Sequence, residues 1–219
     1  MGRLLNITSS LHKKTERDYI GRMTDNKAEC MKIARKYGKD YWDGDRRYGY
    51  GGYKYDGRWL PVVQRFVQHY GLTAGSSVLD VGCAKGFMLH DFQKVVPGIR
   101  VEGIDVSQYA IDNSMESIKP FLHVGNAKDL SRYPDKSFTL VVSINTIHNL
   151  KLAECKTALQ EIQRVGQHAF ITVDAWRTNE EELRMKKWNI TAETFMQVDD
   201  WKELFKEIGY TGDYYWFIP

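Results

Sequence analysis

The stretch Val78–Leu89, VLDVGCAKGFML, places a carboxylate, Asp80, two residues before Gly82, with a second glycine, Gly86, four residues further on. Glycine has no Cβ, so a turn built on it lets a ligand approach the backbone closely. Asp105 lies twenty-three residues after Gly82, at the end of the next apolar run. A carboxylate at such a strand end can accept hydrogen bonds from both hydroxyls of a ribose. Asn126 and Ala127 follow a third apolar run, and a side-chain amide beside a backbone N–H suits the edge of an adenine base. Cys83, Ala84 and Val106 complete the two turns, and Ser143 lies near the end of a later apolar run. Together these residue types describe a site for a nucleoside-bearing ligand.

Two ligand classes use such a turn. Dinucleotides go with G-x-G-x-x-G, and phosphate-cradling loops carry a lysine before Ser or Thr. The spacing here is G-x-x-x-G. Asp80 would repel a pyrophosphate, but it suits the α-ammonium of S-adenosylmethionine, which bears no phosphate.

Two further segments hold reactive side chains. SINTIHNL, residues 143–150, places His148 and Asn149 just past a strong apolar run. A neutral imidazole is a suitable base near neutral pH. YGYGGYKYDGRW, residues 48–59, holds four tyrosines and four glycines with Arg58 near its end. Tyr50 and Tyr53 are candidates for acceptor contacts. Arg58, with Arg46 and Arg47, could fork onto a carboxylate. Interleaved Arg and Asp residues argue against simple low complexity, and the glycines would permit tight turns and hinge motion.

The elements that position these groups follow from periodicity. Asn26 and Glu29 mark a helix start over an apolar stripe ending at Tyr37, and Lys39–Gly57 reads as a loop. A second stripe runs from Leu60 to Tyr70 before Gly71. Strands and helices then alternate: Ser77–Val81, Gly86–Val95, Ile99–Ile104, Ser107–Met115, Pro120–Val124, Ser137–Ile144, Leu152–Val165, Ala169–Val173, Val198–Ile208 and Tyr214–Ile218. That rhythm predicts a mainly parallel sheet with helices on both faces. A short helix around KKTERDYIG is also expected.

From Trp59 to Gly209 the chain resembles the class I S-adenosylmethionine-dependent methyltransferases. It is most similar to the small stand-alone enzymes related to ubiquinone and menaquinone biosynthesis. Asp80, Gly82 and Gly86 match the family's first motif, with Ala84 in place of the middle glycine and Lys85 as a further departure. Asp105 matches the acidic residue ending the second strand, and Gly125–Arg132 matches the segment in which aspartate is commoner than Asn126. The resemblance implies a Rossmann-like α/β fold, S-adenosylmethionine as cofactor, and an N-terminal lid over it. The family's sheet usually ends in a hairpin. Here the seventh strand is either missing or supplied by the Trp176–Gln197 insert.

The division expected is an N-terminal helical extension and lid over 1–58, then a cofactor-binding catalytic domain over 59–219. Residues 1–58 carry fourteen Lys or Arg against eight Asp or Glu, and the rest seventeen against twenty. This asymmetry admits an acidic substrate, but it is weak for a dedicated nucleic-acid binder. Three scattered cysteines without a C-x-x-C pair support neither a disulfide framework nor a metal site. With no apolar leader, they point to a reducing, cytoplasmic setting and no membrane partner. The expected activity is methylation, at O or N, of a small polar metabolite, a class that includes anionic and sugar-derived ones. The alternatives are an RNA methyltransferase and a non-catalytic S-adenosylmethionine-binding protein.

Overall fold

The computed structural model describes residues 2–11 and 26–218. The helix expected around KKTERDYIG lies outside the described residues. Among the described residues, seven strands form one sheet in the order β3-β2-β1-β4-β5, with β6 and β7 both against the far edge of β5. They are β1 Ser77–Val81, β2 Arg100–Asp105, β3 Leu122–Val124, β4 Phe138–Ile144, β5 Gly166–Trp176, β6 Met196–Gln197 and β7 Asp213–Phe217. Every strand pairing is parallel. The insert therefore supplies the sixth strand, and the last segment adds the seventh. The hairpin ending of the resembled family is replaced by parallel pairing of β7 on β5, Phe170 opposite Asp213 through Asp174 opposite Phe217. The outer edge of β7 is occupied by the N-terminal segment, where Leu4 bridges Tyr214.

The helices are α1 Lys27–Ala34, α2 Lys39–Asp43, α3 Leu60–Tyr70, α4 Phe87–Val95, α5 Gln108–Asp112, α6 Leu152–Val165, α7 Asn179–Trp188 and α8 Val198–Glu207. Caps fix several ends. Asn26 accepts the Glu29 N–H, Ser107 accepts that of Ala110, and Gly71 closes α3 in the left-handed conformation. Two elements were not expected: α2 lies in the presumed loop, and α7 lies in the insert behind a Thr178–Glu181 capping box.

Strand alternation divides the core. Leu79, Val81, Val141, Ile171 and Val173 pack under α6 and α8, with Ile162, Trp201 and Phe205. Val78, Val101, Leu140, Val142 and Phe170 pack against α3 and α4, with Val63, Phe66, Leu89 and Phe92. Trp201 and Phe205 are fully buried, and truncating either to Ala would cost roughly 3–5 kcal/mol. The chain winds outward from β1 to β3, then restarts at β4 on the other side of β1. Ligands of such sheets lie at the strands' carboxyl ends beside this reversal. A third, small cluster joins Trp42 of α2 to Ala84 and Ala110, with Tyr41, Tyr53 and Tyr109 packed against it. It seats the N-terminal region over that crevice.

Candidate active site

After Val81 the chain leaves the sheet through Gly82, whose N–H and that of Cys83 both donate to the Ile104 carbonyl at 2.8 and 3.0 Å. Gly82 is left-handed, with φ +88°, and a Cβ there would collide with the Thr146 side chain. Ala84 is also left-handed, at φ 51°, a conformation that disfavours any side chain by about 1–2 kcal/mol. The Asp105 carboxylate stabilises the turn by accepting the Ala84 N–H and the Ser107 N–H, each at 2.8 Å. Gly86 caps α4 and packs toward Ile118, where a Cβ would lie 2.6 Å from its Cγ2.

Asp80 and Asp105 are both buried. Burial, then the nearby Asp105 charge, pushes the Asp80 carboxyl well above the usual range. Burial also raises Asp105, against the lowering effect of its two N–H bonds. No Lys or Arg pairs with either among the described residues. Two buried carboxylates that repel one another are costly unless a cation shares the site. A ligand carrying an ammonium and a sulfonium fits that requirement.

A cavity of about 570 Å³ opens at the carboxyl ends of β1, β2 and β4, within the usual range for small-molecule sites. Its floor holds Asp80, Gly82, Cys83, Ala84, Asp105, Val106, Asn126 and Ala127. Asn126 commits its Oδ1 to the Lys128 N–H at 3.1 Å, so its donor end is the part suited to an adenine edge. Gly86 and Ser143 are not in the lining. Ser143 is fully buried and donates to the Val81 carbonyl at 2.9 Å, which gives it a structural task between β4 and β1. The lining adds residues that sequence reasoning passed over: Asn145, Thr146, Asp174 and Asn189. Single polar residues at strand ends make no pattern. Only the left-handed φ of 52° at Asn145 marks the bend after β4.

The roof is aromatic. Tyr37, Tyr41, Trp42, Tyr50 and Tyr53 line it. Tyr50 stacks on Trp42 at 5.2 Å, and Tyr53 stacks on Phe87, at the start of α4, at 4.9 Å. Burial raises the phenols of Tyr41 and Tyr53 and pushes Tyr37 up to about 12. They remain protonated and act as walls and hydrogen-bond donors. The roof is pinned outside the cavity too: Trp42 Nε1 donates to Ser107 Oγ at 2.8 Å, and the Tyr55 hydroxyl donates to Asp91 at 2.6 Å. Arg46, Lys54 and Arg58 reach the rim. Arg58 forks onto Asp56 at 2.7–2.9 Å.

His148 and Asn149 lie in a short turn, Ile147–Asn149, beyond β4, and both line the cavity. The His148 ring is buried. Its Nδ1 accepts the Asp174 N–H at 3.2 Å, and its Nε2 lies 3.6 Å from Asp174 Oδ2. Asn189 donates to the same Oδ2 at 2.6 Å. Burial lowers the His148 pKa, and the Asp174 charge opposes this without prevailing. Asn149 keeps a buried Oδ1 without a hydrogen-bond partner among the described residues.

Residues 78–168 match the family model described as a methyltransferase domain. Among curated proteins, the rat mitochondrial arginine-hydroxylase NDUFAF5 is 28% identical over 87 residues, covering 40% of this chain and 24% of that protein. The chain thus spans about a quarter of the length of the curated relative it matches. Among solved structures, the YcgJ protein from Bacillus subtilis has a TM-score of 0.55 at 16% identity, covering 67% of this chain and 66% of that one. A SAM-dependent methyltransferase from Archaeoglobus fulgidus has a TM-score of 0.52 at 19% identity, covering 68% and 67%. At such identities the likeness is one of fold. The chain thus has the Rossmann-like fold of these structures, and its residues 78–168 match a methyltransferase-domain model. The Archaeoglobus fulgidus protein is named as SAM-dependent, and the Asp80 and Asp105 carboxylates of this chain suit such a cosubstrate. No helix among the described residues is long and apolar enough to cross a membrane.

Proposed function

We propose that this chain transfers a methyl group to a small polar acceptor held between the aromatic roof and the turn after β4. The observation that carries the reading is the buried Asp80–Asp105 pair on the floor of the same cavity that the roof covers. S-adenosylmethionine, when bound, supplies an electrophilic methyl carbon on a cationic sulfur. Asp80 would hold its α-ammonium, Asp105 its ribose, and Asn126 with Ala127 its adenine. Arg58 would exchange Asp56 for the ligand carboxylate. Tyr37, Tyr41, Trp42, Tyr50 and Tyr53 exclude water, and a fixed approach of the acceptor to the methyl carbon lowers the barrier by orientation.

His148 is better suited to orienting than to proton removal. Its Nδ1 lone pair takes the Asp174 N–H, so the ring proton belongs on Nε2. Asn149 lines the cavity beside His148, and its buried Oδ1 is the atom it would turn toward a substrate donor. This favours acceptors that need no base from the protein, such as a neutral amine nitrogen or a carboxylate oxygen.

The test is calorimetry with S-adenosylhomocysteine, followed by S-adenosylhomocysteine release assays on panels of small amines, acids and sugar derivatives. Micromolar binding and turnover on one chemical panel are expected. Absence of binding would overturn the reading. Turnover only on RNA, with affinity collapsing at high salt, would replace the small acceptor.

A further inference from the structure

We infer that Asp43 and Lys85 are positioning residues that tie the order of the acceptor wall to the state of the cofactor turn. The inference takes the identity of the turn's ligand from the proposed function, but the contacts stand apart from it.

Lys85 sits between Ala84 and Gly86, and its side chain is only 8% exposed. A buried ammonium destabilises a fold unless it is paired. Its partner comes from the N-terminal region: Nζ meets Asp43 Oδ2 at 2.6 Å and Oδ1 at 2.9 Å. The carboxylate, at the end of α2, also accepts the Tyr53 N–H at 3.0 Å and the Tyr109 hydroxyl at 2.9 Å. One side chain thus joins the cofactor turn, the roof backbone and α5.

These contacts form a continuous path. Asp105 holds the Ala84 N–H, and Lys85 is the next residue. Lys85 holds Asp43, and Asp43 holds the backbone of Tyr53, whose ring is 4.6 Å from Tyr50 over the cavity. The path runs from the carboxylate suited to a ribose to the rings that wall the acceptor. A ligand that fixes Asp105 and Ala84 also fixes the base on which Lys85 stands. By reciprocity, order in the roof feeds back on ligand affinity.

Trypsin reads the roof directly, because Arg46, Arg47, Lys54 and Arg58 are exposed. In the wild-type full-length chain, saturating S-adenosylhomocysteine should slow cleavage at these sites at least fivefold. In Lys85→Met and in Asp43→Asn, unliganded cleavage should rise at least fivefold. The ligand's protection should fall below twofold, although binding by calorimetry weakens less than tenfold. Lys85→Arg should restore protection. The double variant Asp43→Asn with Lys85→Met leaves no unpaired charge, and it should match either single variant rather than exceed it. It also serves if a single variant fails to fold. Full ligand protection in the double variant would overturn the inference, as would a wild-type roof that binds the ligand without gaining protection. If the ligand does not bind at all, the proposed function fails. The unliganded cleavage rates then still decide whether the Asp43–Lys85 pair orders the roof.

Discussion

His148 faces Asp174 with both of its ring nitrogens: Nδ1 accepts the backbone N–H at 3.2 Å, and Nε2 stands 3.6 Å from Oδ2. The pair connects the turn after β4 to the end of β5 at the wall of the cavity. The folded chain holds the imidazole neutral, because burial outweighs the attraction of Asp174. The unfolded chain takes up the proton near pH 6.5, whereas the folded chain does so only at lower pH. The stability that this ring contributes is therefore present above about pH 6.5 and is lost as pH falls toward the folded value. In His148→Gln the loss of melting temperature between pH 7.5 and pH 5.5 should be smaller than in the wild type. His148→Ala should cost about 1–3 kcal/mol by leaving the Asp174 N–H without its partner. If the two proteins have superimposable melting temperatures across this range, the ring is not the neutral, buried group described.

Asp80 leads to the opposite kind of outcome. Its carboxyl is raised by burial and then by Asp105. The ligand-free protein carries this group's full penalty above the folded pKa; the penalty shrinks as pH falls below that value and is gone only below the ordinary carboxylate range. Asp80→Asn removes the charge. It should raise the melting temperature of the ligand-free protein near pH 7 and weaken S-adenosylhomocysteine at least tenfold. Thermal melts with and without ligand give both numbers. Undiminished affinity would remove Asp80 from the cofactor site.

The same contrast shows what the chain's pattern discloses and what it conceals. The parallel sheet is legible because β1 and β4 are short apolar runs and α6 repeats its apolar stripe over fourteen residues. The floor residues Asp80, Asp105 and Asn126 are legible because each sits at or just past the carboxyl end of a strand. The helix α2 is hidden because its five residues fall between Gly38 and Gly44, too short to show a period. The helix α7 is nearly all polar, with Met185 its one buried residue, so only its capping box announces it. Ser143 misleads because a strand end and a ligand contact look alike in sequence, whereas its hydroxyl is spent on Val81. Lys85 stands out as a departure, but its partner lies forty-two residues upstream, a distance that no local spacing rule spans.

Ala84 provides a direct test of the turn. It holds φ 51° while its N–H donates to Asp105. Glycine adopts that φ without steric cost, but it adds freedom to the unfolded chain. Ala84→Gly should therefore be neutral to about 1 kcal/mol stabilising. Ala84→Val should lose about 2 kcal/mol or more, because a β-branched side chain adds to the left-handed strain. Denaturant melts on the three proteins check the order. A glycine variant clearly less stable than the wild type would contradict the strain.

The N-terminal segment supplies the last prediction, because it closes an edge that the parallel β7 leaves open. Tyr214 donates to the Arg3 carbonyl at 3.0 Å, and Leu5 donates to the Tyr214 carbonyl at 2.9 Å. Arg3 N–H reaches Asp213 at 2.8 Å, and Arg65 holds the Ile7 carbonyl at 3.0 Å. Ile7 and Thr8 are buried. Removing residues 1–8 uncovers unpaired backbone on β7, the kind of edge that recruits a second chain. Four lost hydrogen bonds at about 1 kcal/mol each and the lost burial of Ile7 at about 1.5–3 kcal/mol give a loss of roughly 6 kcal/mol, or about 15–20 °C at this size. The cofactor floor lies at the other end of the sheet order, on β1, β2 and β3, so S-adenosylhomocysteine affinity should stay within threefold. Melting curves, calorimetry and concentration-dependent size-exclusion profiles measure the three effects. A truncated chain that melts like the full one and keeps its size-exclusion profile would show that the segment does not close the edge.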